Sequence, residues 1–181
     1  VYATTNGINL ENMLTDLLNT GINSLYISID GPSVIHDKLR GKIGLFNKIV
    51  NTLISNRSKI EAAKRDNDFC LGISCAITPM NYEALPELVQ IISELPVDSL
   101  DCTHLNYVLP SVAQKHNKEN PDYKIGESHP EMNPAKINPF LMMKALQDAK
   151  LIANKKNVNF TCVPRLESYL RIEDFYKRPD I

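Results

Sequence analysis

Hydrophobic and polar positions along this chain switch repeatedly between a period of two and a period near 3.6. Val1–Thr5 and Ser24–Asp30 alternate and read as strands. Between them Leu10, Met13, Leu14, Leu17 and Leu18 fall at helical spacing, and Gly21 is placed to stop that helix. A polar loop follows. Then Phe46, Ile49, Val50, Leu53 and Ile54 mark the buried stripe of one long helix whose distal part, Arg57 to Asp66, is charged and solvated. Phe69–Thr78 reads as a third strand ended by Pro79, with Asn81 as N-cap of a helix carrying Leu85, Leu88, Val89 and Ile92. Ser99–Leu109 reads as a fourth strand. The proline-bearing stretch 110–139 lacks periodicity and reads as a lid, a binding loop or an insert. Phe140–Lys156 predicts a helix, Val158–Val163 a fifth strand, and 165–181 a tail of helix-like polarity.

Strands alternating with helices imply right-handed crossovers and a parallel sheet. The expectation is an α/β fold: one domain over 1–181, shaped as an arc of about five βα units of a partial TIM-like parallel barrel. Period-two alternation then sorts the side chains. Leu25, Ile27 and Ile29 face helices, while Tyr26, Ser28 and Asp30 face the interior, joined by Tyr2, Thr4 and Asn6. On the third strand Gly72, Ser74, Ala76 and Thr78 form a small-residue face. It either leaves room for a ligand or packs closely on a neighbour. Asp30 at a strand end can accept two hydrogen bonds, as from a ribose diol. Turn chemistry accounts equally well for Asp30-Gly31-Pro32 and Asn6-Gly7. On the fourth strand Leu100, Cys102, His104 and Asn106 share a side. If the barrel sense holds, His104 and Asn106 point into the cavity, where His104 acts on substrate or is a satisfied structural histidine.

Composition narrows the classes. Across 181 residues the formal net charge is −1 and hydrophobic content is 43%, which supports a real core and disfavours a nucleic-acid face or a polybasic membrane patch. No apolar run approaches the ~20 residues of a membrane span, and no signal peptide opens the chain, so a cytoplasmic location is expected. Cys70, Cys75, Cys102 and Cys162 are widely spaced and form no cluster-ligand pattern, so they read as small buried thiols and no metal site is expected. His36, His116 and His129 are expected in loops with no metal-site spacing.

Taken as a string, Thr4-Thr5-Asn6-Gly7, Ser28-Ile29-Asp30-Gly31, His36-Asp37, Arg40-Gly41 and Gly44-Leu45-Phe46 resemble the middle of a radical S-adenosylmethionine (radical SAM) enzyme. Ile77-Thr78-Pro79-Met80-Asn81 resembles members carrying an auxiliary-cluster (SPASM-type) domain. The likeness covers Val1–Leu95 and thins beyond. It implies a partial (β/α)6 barrel, a [4Fe–4S] cluster and S-adenosylmethionine cleaved to a 5′-deoxyadenosyl radical. It further implies cofactor contacts by Thr4, Asn6, Ser28, Asp30, Gly72, Ser74 and Ala76, a cofactor carboxylate on Arg40, and adenine flanked by the stretch from Ile73 to Ile77. The family's three-cysteine loop and glycine-rich second-strand motif are not in this sequence. The chain also opens inside a strand, as an excised piece does. The expectation is therefore a fragment, inactive alone and holding no cofactor, of an oxidoreductase acting on a peptide or small molecule.

Two other readings stand beside it: a cluster-free partial barrel binding a nucleotide-like metabolite, and a non-catalytic interaction domain. No G-x-x-x-x-G-K-[ST] or G-x-G-x-x-G phosphate loop occurs. An exposed Val1–Asn6 edge strand predicts dimer formation through that edge.

Overall fold

A computed structural model describes residues 1–165 and 169–177. Five strands carry the fold: β1 (Tyr2–Thr5), β2 (Ser24–Ser28), β3 (Cys70–Ile77), β4 (Ser99–His104) and β5 (Asn159–Val163). They form one all-parallel sheet in the order β1-β2-β3-β4-β5. Each crossover is helical: α1 (Leu10–Asn19), then α2 (Ser33–Arg40), α3 (Leu45–Ser55) and α4 (Arg57–Asn67) between β2 and β3, α5 (Leu85–Ile92), then α6 (Pro110–Glu119) and α7 (Pro139–Lys155) between β4 and β5. A last helix, α8 (Tyr169–Lys177), follows β5.

A strictly sequential strand order has a consequence. Crossovers of one hand that always step the same way return on the same face of the sheet. The burial pattern agrees. Leu25, Ile27, Leu71, Ile73, Cys75, Ile77, Leu100 and Cys102 point to one face and merge with the helix stripes of α1, α3, α5 and α7 into a single core. The alternate residues Ser28, Ser74, Asp101 and Thr161 are only half-buried, so the described elements leave that second face open. No described helix is long and apolar enough to cross a membrane.

Several expected elements differ. The polar loop after β2 contains α2, whose C-terminus is closed by Gly41 at φ 63° in the left-handed region that glycine adopts freely. The single long helix is two: α3 ends at Asn56, which leaves helical geometry at φ −106°, ψ 13°, and α4 starts after it. The 110–139 stretch is not wholly irregular, because Pro110 at a first helical position, where no N–H is needed, opens α6. Two short 3-10 turns, Pro130–Met132 and Pro134–Lys136, follow. β4 ends at His104 instead of Leu109. Asn81 caps no helix; a 3-10 turn, Tyr82–Ala84, precedes α5. Of the expected tail, 166–168 and 178–181 lie outside the described residues.

Candidate functional site

The strand registers assemble the alternate side chains into lateral rows on the open face. One row is Thr4, Tyr26, Gly72, Ser99 and Asn159. The next is Ser28, Ser74, Asp101 and Thr161, and beyond it lie Ala76, Thr103 and Val163. Nearly every member is polar or small, as expected for a face that no helix covers. The sequence expectation for Thr4, Ser28, Gly72, Ser74 and Ala76 places them here, and the register brings them together.

Asp101 is at the centre of this face and was not among the expected site residues. Ser99 Oγ donates to its Oδ2 at 3.0 Å, and Thr161 Oγ1 donates to its Oδ1. Tyr26 leans over Gly72: a Cβ at position 72 would meet Tyr26 Cε1 at 2.4 Å and Ser99 Oγ at 2.8 Å. At Gly72, then, the small residue accommodates a ring of the chain itself, not empty space. Burial first, then the Asp101 carboxylate and Cys70, push the Tyr26 phenol above its ordinary value. The signal for Asp101 was in the sequence. Leu100 and Cys102 flank it and belong to the core, so residue 101 had to face the other way.

Asp30 does something different from what was expected. It is only 6% exposed. Its Oδ1 accepts the Ala76 N–H at 3.1 Å, where the β2–β3 ladder ends, and its Oδ2 accepts Arg40 Nε at 2.7 Å. Both carboxylate oxygens thus have partners within the chain, and the carboxylate stands at the sheet's end, not on its open face. Its backbone N–H donates to His36 Nδ1 at 3.1 Å. Asn81 Nδ2 donates to the carbonyls of Asp30 at 2.7 Å and Ala76 at 2.8 Å, while Asn81 Oδ1 accepts from the Thr78 N–H at 2.7 Å. This knot ties the ends of β2 and β3 to α2. Arg40, held to it through Nε, keeps a side chain 30% exposed.

The neighbouring motif residues are also structural. His36 lies in α2, not a loop, and is fully buried with its ring edge-on to Phe46 at 6.0 Å. Because Nδ1 accepts from Asp30, its proton is on Nε2, which has no hydrogen-bond partner among the described residues. Burial, opposed by Asp30, pushes the imidazole below its ordinary value. Asp37 accepts the N–H groups of Gly44 at 2.5 Å and Phe46 at 2.9 Å, which fastens α2 to the start of α3. Asn6 Oδ1 accepts the Ile8 N–H at 3.2 Å, a side-chain turn after β1, and Asn6 is exposed. His116 lies in α6, not a loop, whereas His129 is in a loop as expected, where its Nδ1 accepts the Glu131 N–H ahead of the Pro130–Met132 turn.

His104 does not enter the open face. His104 shares the parity of Leu100 and Cys102 and is therefore carried into the helix-covered layer, 1% exposed. Its ring lies 5.2 Å from that of Phe175, and its Nε2 is 3.4 Å from Cys162 Sγ. Burial pushes its imidazole down to about 4. Asn106 lies beyond the end of β4 and is exposed. Cysteines remote in sequence become neighbours here, since Cys75, Cys102 and Cys162 pair laterally across three strands. Burial and the Cys75 field push the Cys162 thiol up to about 12, and a Cys75 hydrogen bond and burial push Cys102 well up, so these thiols stay protonated. Among the described residues no group of three or more His, Cys, Asp or Glu side chains is arranged to hold a metal ion.

A separate cavity of about 510 Å³ opens at the outer edge of β5, lined by Met143, Leu146, Lys150, Phe160, Cys162 and Ile172. Thr161 also borders it, so it adjoins the Asp101 row at that edge. No protein-family model and no curated protein matches the sequence.

Proposed function

We propose that the sheet is an arc of a partial barrel and that its open face binds S-adenosylmethionine, as the resemblance to radical SAM enzymes implies. The single observation that carries this reading is the arrangement around Arg40. A guanidinium fixed through Nε by a buried aspartate stands at the C-terminal end of β2, beside a helix-free face of Ser28, Ser74 and small neighbours. Ligands of parallel α/β folds bind at that end of the strands. A planar, pre-oriented guanidinium suits the carboxylate of an amino-acid moiety. In this reading Ser28, Ser74 and Thr4 line the adenosine, Arg40 takes the carboxylate, and Asp30 acts through Arg40 instead of touching the ribose.

When bound beside a [4Fe–4S] cluster, this cofactor supplies a hydrogen-abstracting radical. The residues described here do not fit the cluster: a Cys75 hydrogen bond and burial push the Cys102 thiol up, and burial pushes Cys162 up, toward the protonated form, and the row of Cys75, Cys102 and Cys162 lies on the helix-covered side. The enzyme reading therefore places the cluster ligands outside these 181 residues and assigns this chain cofactor binding alone. The substrate is a peptide or small molecule; Asn106 stays a candidate to meet it, while His104, buried among the helices, does not. The engagement of both Asp30 oxygens favours a second reading, a cluster-free domain that binds a nucleotide-like metabolite.

Calorimetric titration separates them. S-adenosylmethionine is expected to bind, and Arg40→Ala to weaken it at least tenfold. Binding of adenosine as tight as that of S-adenosylmethionine supports the second reading. No binding of either ligand overturns both.

A further inference from the structure

The cofactor reading leaves Asp101, at the centre of the open face, unused. Its carboxylate accepts hydrogen bonds from two hydroxyls, Ser99 and Thr161, which orient it without neutralising it. A carboxylate offers about four acceptor sites, so two hydroxyls leave room for further donors. No lysine or arginine among the described residues stands within ion-pair distance of it. In water a half-exposed carboxylate needs no partner. Once a ligand covers the face, that changes. Stripping water from an unpaired charge is costly unless the incoming group brings the opposite charge and hydrogen-bond donors.

Beside it lies an aromatic ring. Tyr26 is held over Gly72 because only a residue without Cβ admits it there, and the same space is bounded by Ser99 Oγ, the hydroxyl that holds Asp101. A ring and a carboxylate sharing one border form the surroundings that stabilise an organic cation, through the ring's quadrupole and through direct ion pairing.

We propose that Tyr26 and Asp101 form a subsite for an organic ammonium group, the primary amine of a substrate docked on the open face. The inference rests on that face being ligand-bearing, but not on which cofactor it carries. It fixes the polarity of docking as well. An anionic portion of a ligand is repelled at Asp101 and drawn to Arg40, two strands away at the sheet's end.

The test uses N-acetyl-lysine amide as probe and the uncharged N-acetyl-norleucine amide as control, followed by NMR at the Tyr26 ring and the Asp101 side-chain carboxyl. Saturable shifts at both groups are expected with the lysine probe, and affinity at least tenfold lower for norleucine. Asp101→Asn is expected to weaken the lysine probe tenfold or more. Tyr26→Phe, which keeps the ring, leaves it within about twofold. Equal response to both probes, shifts at neither residue, or an unchanged Asp101→Asn variant each overturn the subsite. The probe pair on the unaltered protein decides the matter even where a variant fails to fold. S-adenosylmethionine is titrated separately. Its failure to bind while the lysine probe binds sinks the cofactor reading alone, and the reverse result sinks only the ammonium subsite.

Discussion

Asp30 and Asp101 belong to strands two places apart in one sheet, and the fold treats them oppositely. Asp30 is buried, ion-paired with Arg40 and hydrogen-bonded by a backbone amide. Asp101 is half-exposed and bonded only by hydroxyls. The first is compensated wholly from within the chain; the second is compensated by solvent. A carboxylate this buried needs partners supplied by the chain, so Asp30 is a structural anchor first. A carboxylate kept wet and oriented on an uncovered face costs the fold little and stays available to a ligand. The comparison separates residues that shape a site from residues that meet what enters it, although both are aspartates of one sheet's strands and turns.

The largest effect is expected on the Asp30 side. Asn81→Ala removes the donor to two buried carbonyls and the acceptor of the Thr78 amide, and should cost about 3–4 kcal/mol in urea unfolding. Asp101→Asn under the same conditions should not approach that figure. Comparable losses would erase the distinction between the two carboxylates.

Acid comes next. Burial lowers the imidazoles of His36, behind Asp30, and of His104, which falls to about 4. Below the ordinary histidine value near 6.5 the unfolded chain therefore takes up more protons than the folded one. Stability should be complete above about pH 6.5 and fall as pH drops toward 4, with His104 contributing about 3 kcal/mol of the loss. Denaturant midpoints measured across that range should show the slope, and His104→Gln should flatten much of it. A slope unchanged in that variant would count against the burial of His104.

On the Asp101 side, Gly72→Ala should cost about 2 kcal/mol, because a Cβ 2.4 Å from Tyr26 displaces the ring. Thermal unfolding reads this directly, and an unaltered midpoint would mean that Tyr26 has room to give. Smaller still, Arg40→Ala should cost about 1 kcal/mol, since its side chain is 30% exposed and water screens the pair. Asp101→Asn should lie within about 0.5 kcal/mol in the same assay.

Much of this fold was legible in the sequence because hydrophobic periodicity is a local signal. Leu10 to Leu18 and Phe46 to Ile54 declared their helices, and the alternation of Leu25, Ile27 and Ile29 declared the covered face of β2. Elements with weak apolar stripes were lost. α2 carries one buried residue, His36, and α6 one, Ala113, so neither shows a helical pattern. The break at Asn56 was hidden by continuous helix-forming residues on both sides. At the site, face assignment worked on β2 and failed on β4, where the side shared by Leu100, Cys102 and His104 reads as the cavity side although its apolar members belong to the core. The lateral row of three cysteines depends on register between strands, and the Arg40–Asp30 pair on how α2 folds back to the end of β2; no hydrophobic periodicity encodes either.

The central claim is that the open face, and not the helix-covered one, is where a ligand meets this protein. The most direct measurement is a backbone amide NMR titration with S-adenosylmethionine. The account predicts saturable shifts at Ser28, Ser74 and Thr4 together with Arg40 Nε–H, while Cys102 and His104 on the covered face stay still. Shifts confined to the β5-edge cavity around Lys150 and Phe160, or no shifts at all, would contradict it.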